Sequence, residues 1–240
     1  TAAALEHLRK ASALEPTDAT SLAQIGELLE GRGDIAGAVQ AYASALAIEP
    51  DAAVQARVEN LQTRIAVSRL PEAYRAIGGA PQVTRADLAA LLGVRLASVV
   101  QAMRGRDAVL LTDVRNNWAE TWIMAVARAG LMDANANHAF QPGSIVRRSD
   151  LAQVVSRLLQ RIAAPPDLRA WQAARPRFAD LASTHLAYPA ASLVVASGVL
   201  SAADGSFQPS KAVTGAEATA AVERLERMAH LAPPPGAGGR

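Results

Sequence analysis

Between Ala19 and Pro50 the apolar residues fall at helical spacing in two runs. Leu22, Ile25, Leu28 and Leu29 share one face and Ile35, Val39, Tyr42 and Leu46 share another, so the pattern predicts helices over Ala19–Glu30 and Ile35–Ile48. Gly31-Arg32-Gly33-Asp34 breaks the two, which makes the pair a helical hairpin. Gly26, Ala38 and Ala45 are small where two helices must approach closely, and Pro50 follows a helix end, where its missing N–H costs little. The run Ala53–Val67 predicts a closing helix, and Ala4, Leu8 and Ala11 ahead of Pro16 read as the second half of an earlier hairpin. A single hairpin cannot bury its own apolar face, so a further unit, the next domain or a partner has to cover it.

A second repetition occupies the rest of the chain. Asp113, Phe140-Gln141-Pro142 and Val146 recur 67 residues later as Asp180, Phe207-Gln208-Pro209 and Val213, and Gly130-Leu131 recurs as Gly198-Val199. Each copy predicts an Asp-containing lead-in, then a helix (about Trp118–Ala129, and Tyr188–Ser197), a Gly stop and a turn (Asn135–His138, and Asp204–Ser206). A second helix follows (about Ser149–Ile162, and Gly215–Ala229), entered through a polar capping residue. Ala163-Ala164-Pro165-Pro166-Asp167 reads as a linker by composition, and Pro233-Pro234-Pro235-Gly236 onward as a disordered tail. The expected fold is mainly α, with helical hairpins over residues 1–68, a repeat domain over 69–231 and the tail over 232–240. Its units span about 69–100, 108–162 and 175–229.

Two family resemblances follow from these residues. Leu22, Ile25-Gly26, Leu29, Ala38, Tyr42, Ala45 and Pro50, with Pro16 preceding Pro50 by 34 residues, resemble a tetratricopeptide repeat. Phe178-Ala179-Asp180, His185-Leu186-Ala187-Tyr188, Gly198-Val199, Asp204-Gly205-Ser206-Phe207-Gln208-Pro209 and Val213-Thr214-Gly215-Ala216-Glu217 resemble an S-layer homology unit. The middle unit carries Thr112-Asp113-Val114, Asn117-Trp118-Ala119, Gly130-Leu131, Phe140-Gln141-Pro142 and Val146-Arg147-Arg148-Ser149-Asp150. In the first only the second half is clear, as Val83-Thr84-Arg85-Ala86-Asp87-Leu88-Ala89. The resemblance implies a pseudo-three-fold helical domain that binds anionic wall polymer in grooves between units, a bacterial envelope location, and hairpins that bind protein.

Composition narrows the function without fixing it. Apolar residues make up 50% of the 240 while aromatics make up only 4%, which suits close-packed short helices rather than a sandwich or barrel. The net charge is +2, lysines are limited to Lys10 and Lys211, and no basic stripe for nucleic acid stands out. The absence of Cys excludes disulfides and thiolate chemistry. No apolar stretch is long enough to span a bilayer, and the chain opens in what reads as mid-helix, as if an upstream part were missing. Neither a nucleophile elbow, a phosphate-cradling loop nor a His-Glu-x-x-His is present, so an enzyme, a metal site or a cofactor is not expected.

Candidate binding residues come from the resemblance. Arg85 and Arg148 stand at its arginine position, where a fork-shaped donor beside a helix N-terminus suits a carboxylate or phosphate. Gly215 holds that place in the last unit, which implies at most two competent grooves. The plainer alternative pairs these arginines with Asp87 or Asp150. Asp113 and Asp180 read either as acceptors for ligand hydroxyls or as caps, and Trp118 either as a sugar-stacking ring or as core. Leu22, Gln24 and Tyr42 are the candidate protein-binding positions. His185, the Asn135–Asn137 turn and the carboxylate pairs Glu27/Glu30 and Glu223/Glu226 read as surface. The functional expectation is a non-enzymatic envelope tether, with a purely protein-binding scaffold in a larger envelope complex as the alternative.

Overall fold

The computed structural model describes residues 2–15, 17–103, 105 and 109–231; the proposed disordered tail and Pro16 lie outside them. The chain divides into two compact units at Leu70/Pro71. The first holds α1 (Ala2–Leu14), α2 (Ala19–Gly31), α3 (Ile35–Ile48) and α4 (Ala52–Ser68). Asp18 starts α2 by accepting from the N–H groups of Thr20 and Ser21, and Asp34 starts α3 by accepting from that of Gly37. Gly33, at φ 80°, makes the reversal between them. Tyr42 fills the seam: it is fully buried, and a Cβ on Gly26 would lie 2.6 Å from its ring, so glycine is what lets α2 and α3 close. The Tyr42 hydroxyl donates to Glu30 at 3.2 Å. Burial, opposed by Arg57 and reinforced by Glu30, pushes its pKa up to about 12, so it stays a donor at any physiological pH. Val58 and Leu61 of α4 complete this core with Leu5, Ile25 and Leu29. Arg57 also bridges α4 to Glu27 of α2 at 2.6 Å.

The second unit is organised by three short extended segments, each just ahead of a long helix. The Val83 N–H donates to the Val213 carbonyl, Val213 to Val146, and Val146 back to Val83, all at 2.9 Å. This closed triangle pairs the polar backbone of three valines that are at most 1% exposed. From it run α6 (Arg85–Arg95), α9 (Arg148–Ile162) and α12 (Gly215–Leu231). Thr84 and Asp87 form a capping box at α6, and Asp150 accepts from the Arg147 N–H at α9. Leu88, Leu92, Leu151, Val155, Leu158, Val222 and Leu225 lie on the buried faces of these three helices. The shorter helices are α5 (Glu72–Ala76), followed by a 3₁₀ turn over Ile77–Gly79, then α7 (Ala97–Ala102), α8 (Glu120–Arg128), α10 (Pro165–Ala174) and α11 (Tyr188–Ala196).

Three expectations need correction. The supposed linker at Ala163–Asp167 starts α10, because Pro165 and Pro166 stand at the first helical positions, where no N–H is needed. Trp118 precedes its helix instead of opening it. Glu223 and Glu226 are not a solvated pair: both bind Arg95 of α6, Glu226 at 2.5 Å and Glu223 at 3.4 Å, and so fasten the third repeat to the first within the second unit.

Candidate functional site

Each Phe-Gln-Pro turn is held by its own unit's aspartate. Asp113 accepts from the N–H groups of Phe140 and Gln141, both at 2.7 Å, and Asp180 from those of Phe207 and Gln208 at 2.8 and 2.7 Å. The latch is needed because Gln141 and Gln208 sit at φ 57° and 58°, a left-handed conformation that costs a non-glycine residue energy unless its surroundings hold it. These aspartates therefore clasp a turn 27 residues away and do not cap the adjacent helix.

Burial pushes the Asp180 carboxyl up, but the two turn N–H groups, with Arg148 nearby, outweigh it and hold the group below its ordinary value of 3.8. A carboxyl depressed by folding contributes stability above that value and loses it as the pH falls through the lowered one. Asp180→Asn, which keeps one oxygen of two, is expected to melt below the wild type at neutral pH. The gap should narrow below about pH 4, measured as melting temperature against pH by circular dichroism.

The turn thus held is what the preceding unit's arginine grips. Arg85 donates from Nε to the Phe140 carbonyl and from Nη2 to that of Asp133, both at 2.7 Å, and lies 4.4 Å from the Phe140 ring centroid. Arg148 repeats this one unit on, with Nε on the Phe207 carbonyl, Nη2 on that of Ser201, and the Phe207 ring at 5.0 Å. Neither pairs with the acid of its own helix start, as the plainer reading had it. Arg148 has a third partner, Glu217 of the following unit, and only 7% of it is exposed. Arg85 is half-buried and lines a groove of about 180 Å³ with Asp150, Gln153 and Arg157.

Where the third repeat meets the first, Gly215 stands at the position equivalent to Arg85 and Arg148. Gly215 donates its N–H to the Ala80 carbonyl at 2.8 Å, and a Cβ there would stand 1.7 Å from the Ile77 carbonyl oxygen. The 3₁₀ turn of the first repeat, in the same compact unit, thus occupies the space that a side chain would need.

Trp118 is half-buried and packs edge-on against Trp122 with centroids 6.0 Å apart, and Trp122 also meets Tyr74 at 6.2 Å. His185 is exposed, with Nδ1 accepting from the Ala187 N–H, and Asn137 closes its own turn onto Ala139. Among the described residues no group of three or more His, Asp or Glu is placed to hold a metal ion. In the first unit Gln24 lines a groove of about 640 Å³ with Glu27, Arg57 and Asn60, whereas Tyr42, expected to meet a partner, is fully buried in the hairpin core and Leu22 packs against that core.

Two arginines escaped the sequence reading. Arg157 donates to the carbonyls of Gly130 and Leu131, and Arg224 to that of Val199, so both tie a second helix to the end of the first helix in its own unit. Their 67-residue separation was the available signal.

No curated protein matches the chain. The first unit drew no tetratricopeptide family match. No described helix is long and apolar enough to cross a membrane. The Asp180 latch, the Phe207 turn and the start of α12 all fall within residues 177–219, which match the S-layer homology domain, a binding and anchoring family that associates the chain with the bacterial cell wall or surface.

Proposed function

We propose that the chain is a non-catalytic tether of the bacterial envelope, whose S-layer-homology-like units hold an anionic cell-wall polymer while the first unit binds a protein. What carries the reading is the groove beside Arg85: a guanidinium at a helix start, partly exposed and flanked by further polar side chains, in the same compact unit as the repeat that matches an anchoring domain. The groove of the first unit, with the exposed Gln24, Glu27 and Asn60, supports the protein-binding half. Two weak grips on one chain reinforce each other when both can engage at once.

A second reading, in which the repeats serve only as packing modules of a larger envelope complex, is favoured by Arg148 and Gly215, since both are committed to contacts within the chain. Purified cell-wall sacculi separate the two. Under the tether reading the chain is retained, retention weakens with salt, and Arg85→Ala reduces it by roughly tenfold or more, the worth of a charged hydrogen bond. A wild-type chain that washes through at low salt leaves the scaffold.

A further inference from the structure

We propose that the second unit carries a separate binding site, at the far ends of its three long helices, for a single-chain amphiphilic anion of the fatty-acid class. The site does not depend on the tether reading.

α6 and α9 start against the Phe-Gln-Pro turns, the Arg85 N–H donating to the Ser144 carbonyl and the Ser149 N–H to that of Pro209. Helices of their length carry the other ends roughly 16–22 Å away. There the ends of α6 and α9 and the last turns of α12 enclose a cavity of about 510 Å³. Leu96 and Val99 wall it where α6 passes into α7, Ile162 and Pro165 where α9 passes into α10, and Ala229 on α12. Ala102, Ala163 and Ala164 bring only methyl groups, which do not fill it. Protein interiors are otherwise close-packed, and a largely apolar hollow of this size with a few polar groups at its edge is what a small ligand occupies.

The charges at the rim select the ligand's head. Arg95 is committed, with Nε and Nη2 on Glu226 and Nη1 on Glu223, and that pairing also uses up the acids. Arg161 is exposed and makes no hydrogen bond or ion pair among the described residues, and the exposed His230 stands on the same rim. The uncommitted charge is therefore positive and lies at the edge of an apolar cavity. A carboxylate matches the fork of the Arg161 guanidinium, and an acyl chain matches the floor. A methylene occupies no more than the ~30 Å³ share of a water molecule, so the cavity takes on the order of a dozen or more. A sugar would find few partners, since Ser98 and His230 are the neutral polar side chains of the lining.

Calorimetric titration of the full chain with laurate, below its micelle concentration, is expected to show saturable one-to-one binding. Decanoate, two methylenes shorter, should bind roughly tenfold or more weakly. Dodecylamine, with the same chain and the opposite charge, should lose at least as much. Arg161→Gln, a change at an exposed side chain, should lower laurate affinity by roughly tenfold at an unchanged urea midpoint, and Ala229→Trp should abolish binding by filling the cavity. A wild type that does not bind laurate saturably, that binds dodecylamine as tightly, or that is matched by Arg161→Gln overturns the assignment and leaves the tether reading untouched. Two further results also overturn it. Co-sedimentation with anionic phospholipid vesicles but no binding of laurate in solution would make the cavity a membrane contact. A wild type that sediments as a dimer, while Ala229→Trp is a monomer, would make it a seam between copies.

Discussion

Arg148→Ala is expected to destabilise the second unit by about 3–5 kcal/mol, the cost of breaking a buried ion pair by removing one partner. The magnitude follows from what the guanidinium leaves behind. Its Nε and Nη2 satisfy the Phe207 and Ser201 carbonyls at 2.7 Å, and its charge is the partner of Glu217, whose side chain is only 21% exposed. Alanine strands two acceptors and a carboxylate together, and also removes the cation from the Phe207 ring. Lysine does not repair this, because a single ammonium cannot span acceptors that the guanidinium fork reaches at once. Urea unfolding followed by tryptophan fluorescence reads this unit selectively, since Trp118, Trp122 and Trp171 all lie beyond Leu70. Arg148→Ala/Glu217→Gln should recover part of the loss, because the unpaired charge is gone. A single-mutant cost below about 1 kcal/mol, the range of exposed ion pairs, would mean that the clamp contributes no more than a surface bridge.

The repetition in the sequence located the aspartates, the turns and the glycine stops, because each of those features is set within one unit. The 67-residue recurrence placed Asp113 and Asp180, and a turn needing an acceptor lies downstream of each. The first hairpin was legible for the same reason: Gly33, Gly26 and Tyr42 act on neighbours at most 16 residues away.

What the chain does between units was not legible. The partners of Arg148 stand 53, 59 and 69 residues further on, and two of them are backbone carbonyls, which carry no residue signature. The seam from Arg95 to Glu226 spans 131 residues, so the glutamates looked like an ordinary solvated helix face. The proline pair at Pro165 misled in another way: the same dipeptide that ends one helix can begin the next, and composition alone does not tell which.

Gly215 is the position where family resemblance and local packing pull in opposite directions. Read by resemblance, its missing arginine is a lost ligand contact, and Gly215→Arg should restore a groove. The packing predicts the reverse. Any Cβ at this position meets the Ile77 carbonyl oxygen at 1.7 Å, the Ile77 carbonyl carbon at 2.8 Å and the Ala80 nitrogen at 3.0 Å. All three are backbone atoms of the 3₁₀ turn and of Ala80, which ends it, and cannot swing aside as a side chain can; Gly215 itself holds that turn through its bond to the Ala80 carbonyl. Overpacking typically costs 1–3 kcal/mol, and a rigid obstacle puts this site at or above about 3 kcal/mol. Since the clash begins at Cβ, Gly215→Ala should cost nearly as much as Gly215→Arg, and neither should gain retention on sacculi. The 3₁₀ turn would have to leave its place for the arginine to fit, which would loosen the Arg95–Glu226 seam between the same two units. A Gly215→Arg protein that unfolds at the wild-type urea midpoint and binds more wall polymer would show that the turn gives way freely, and the closure of this junction by backbone would be refuted.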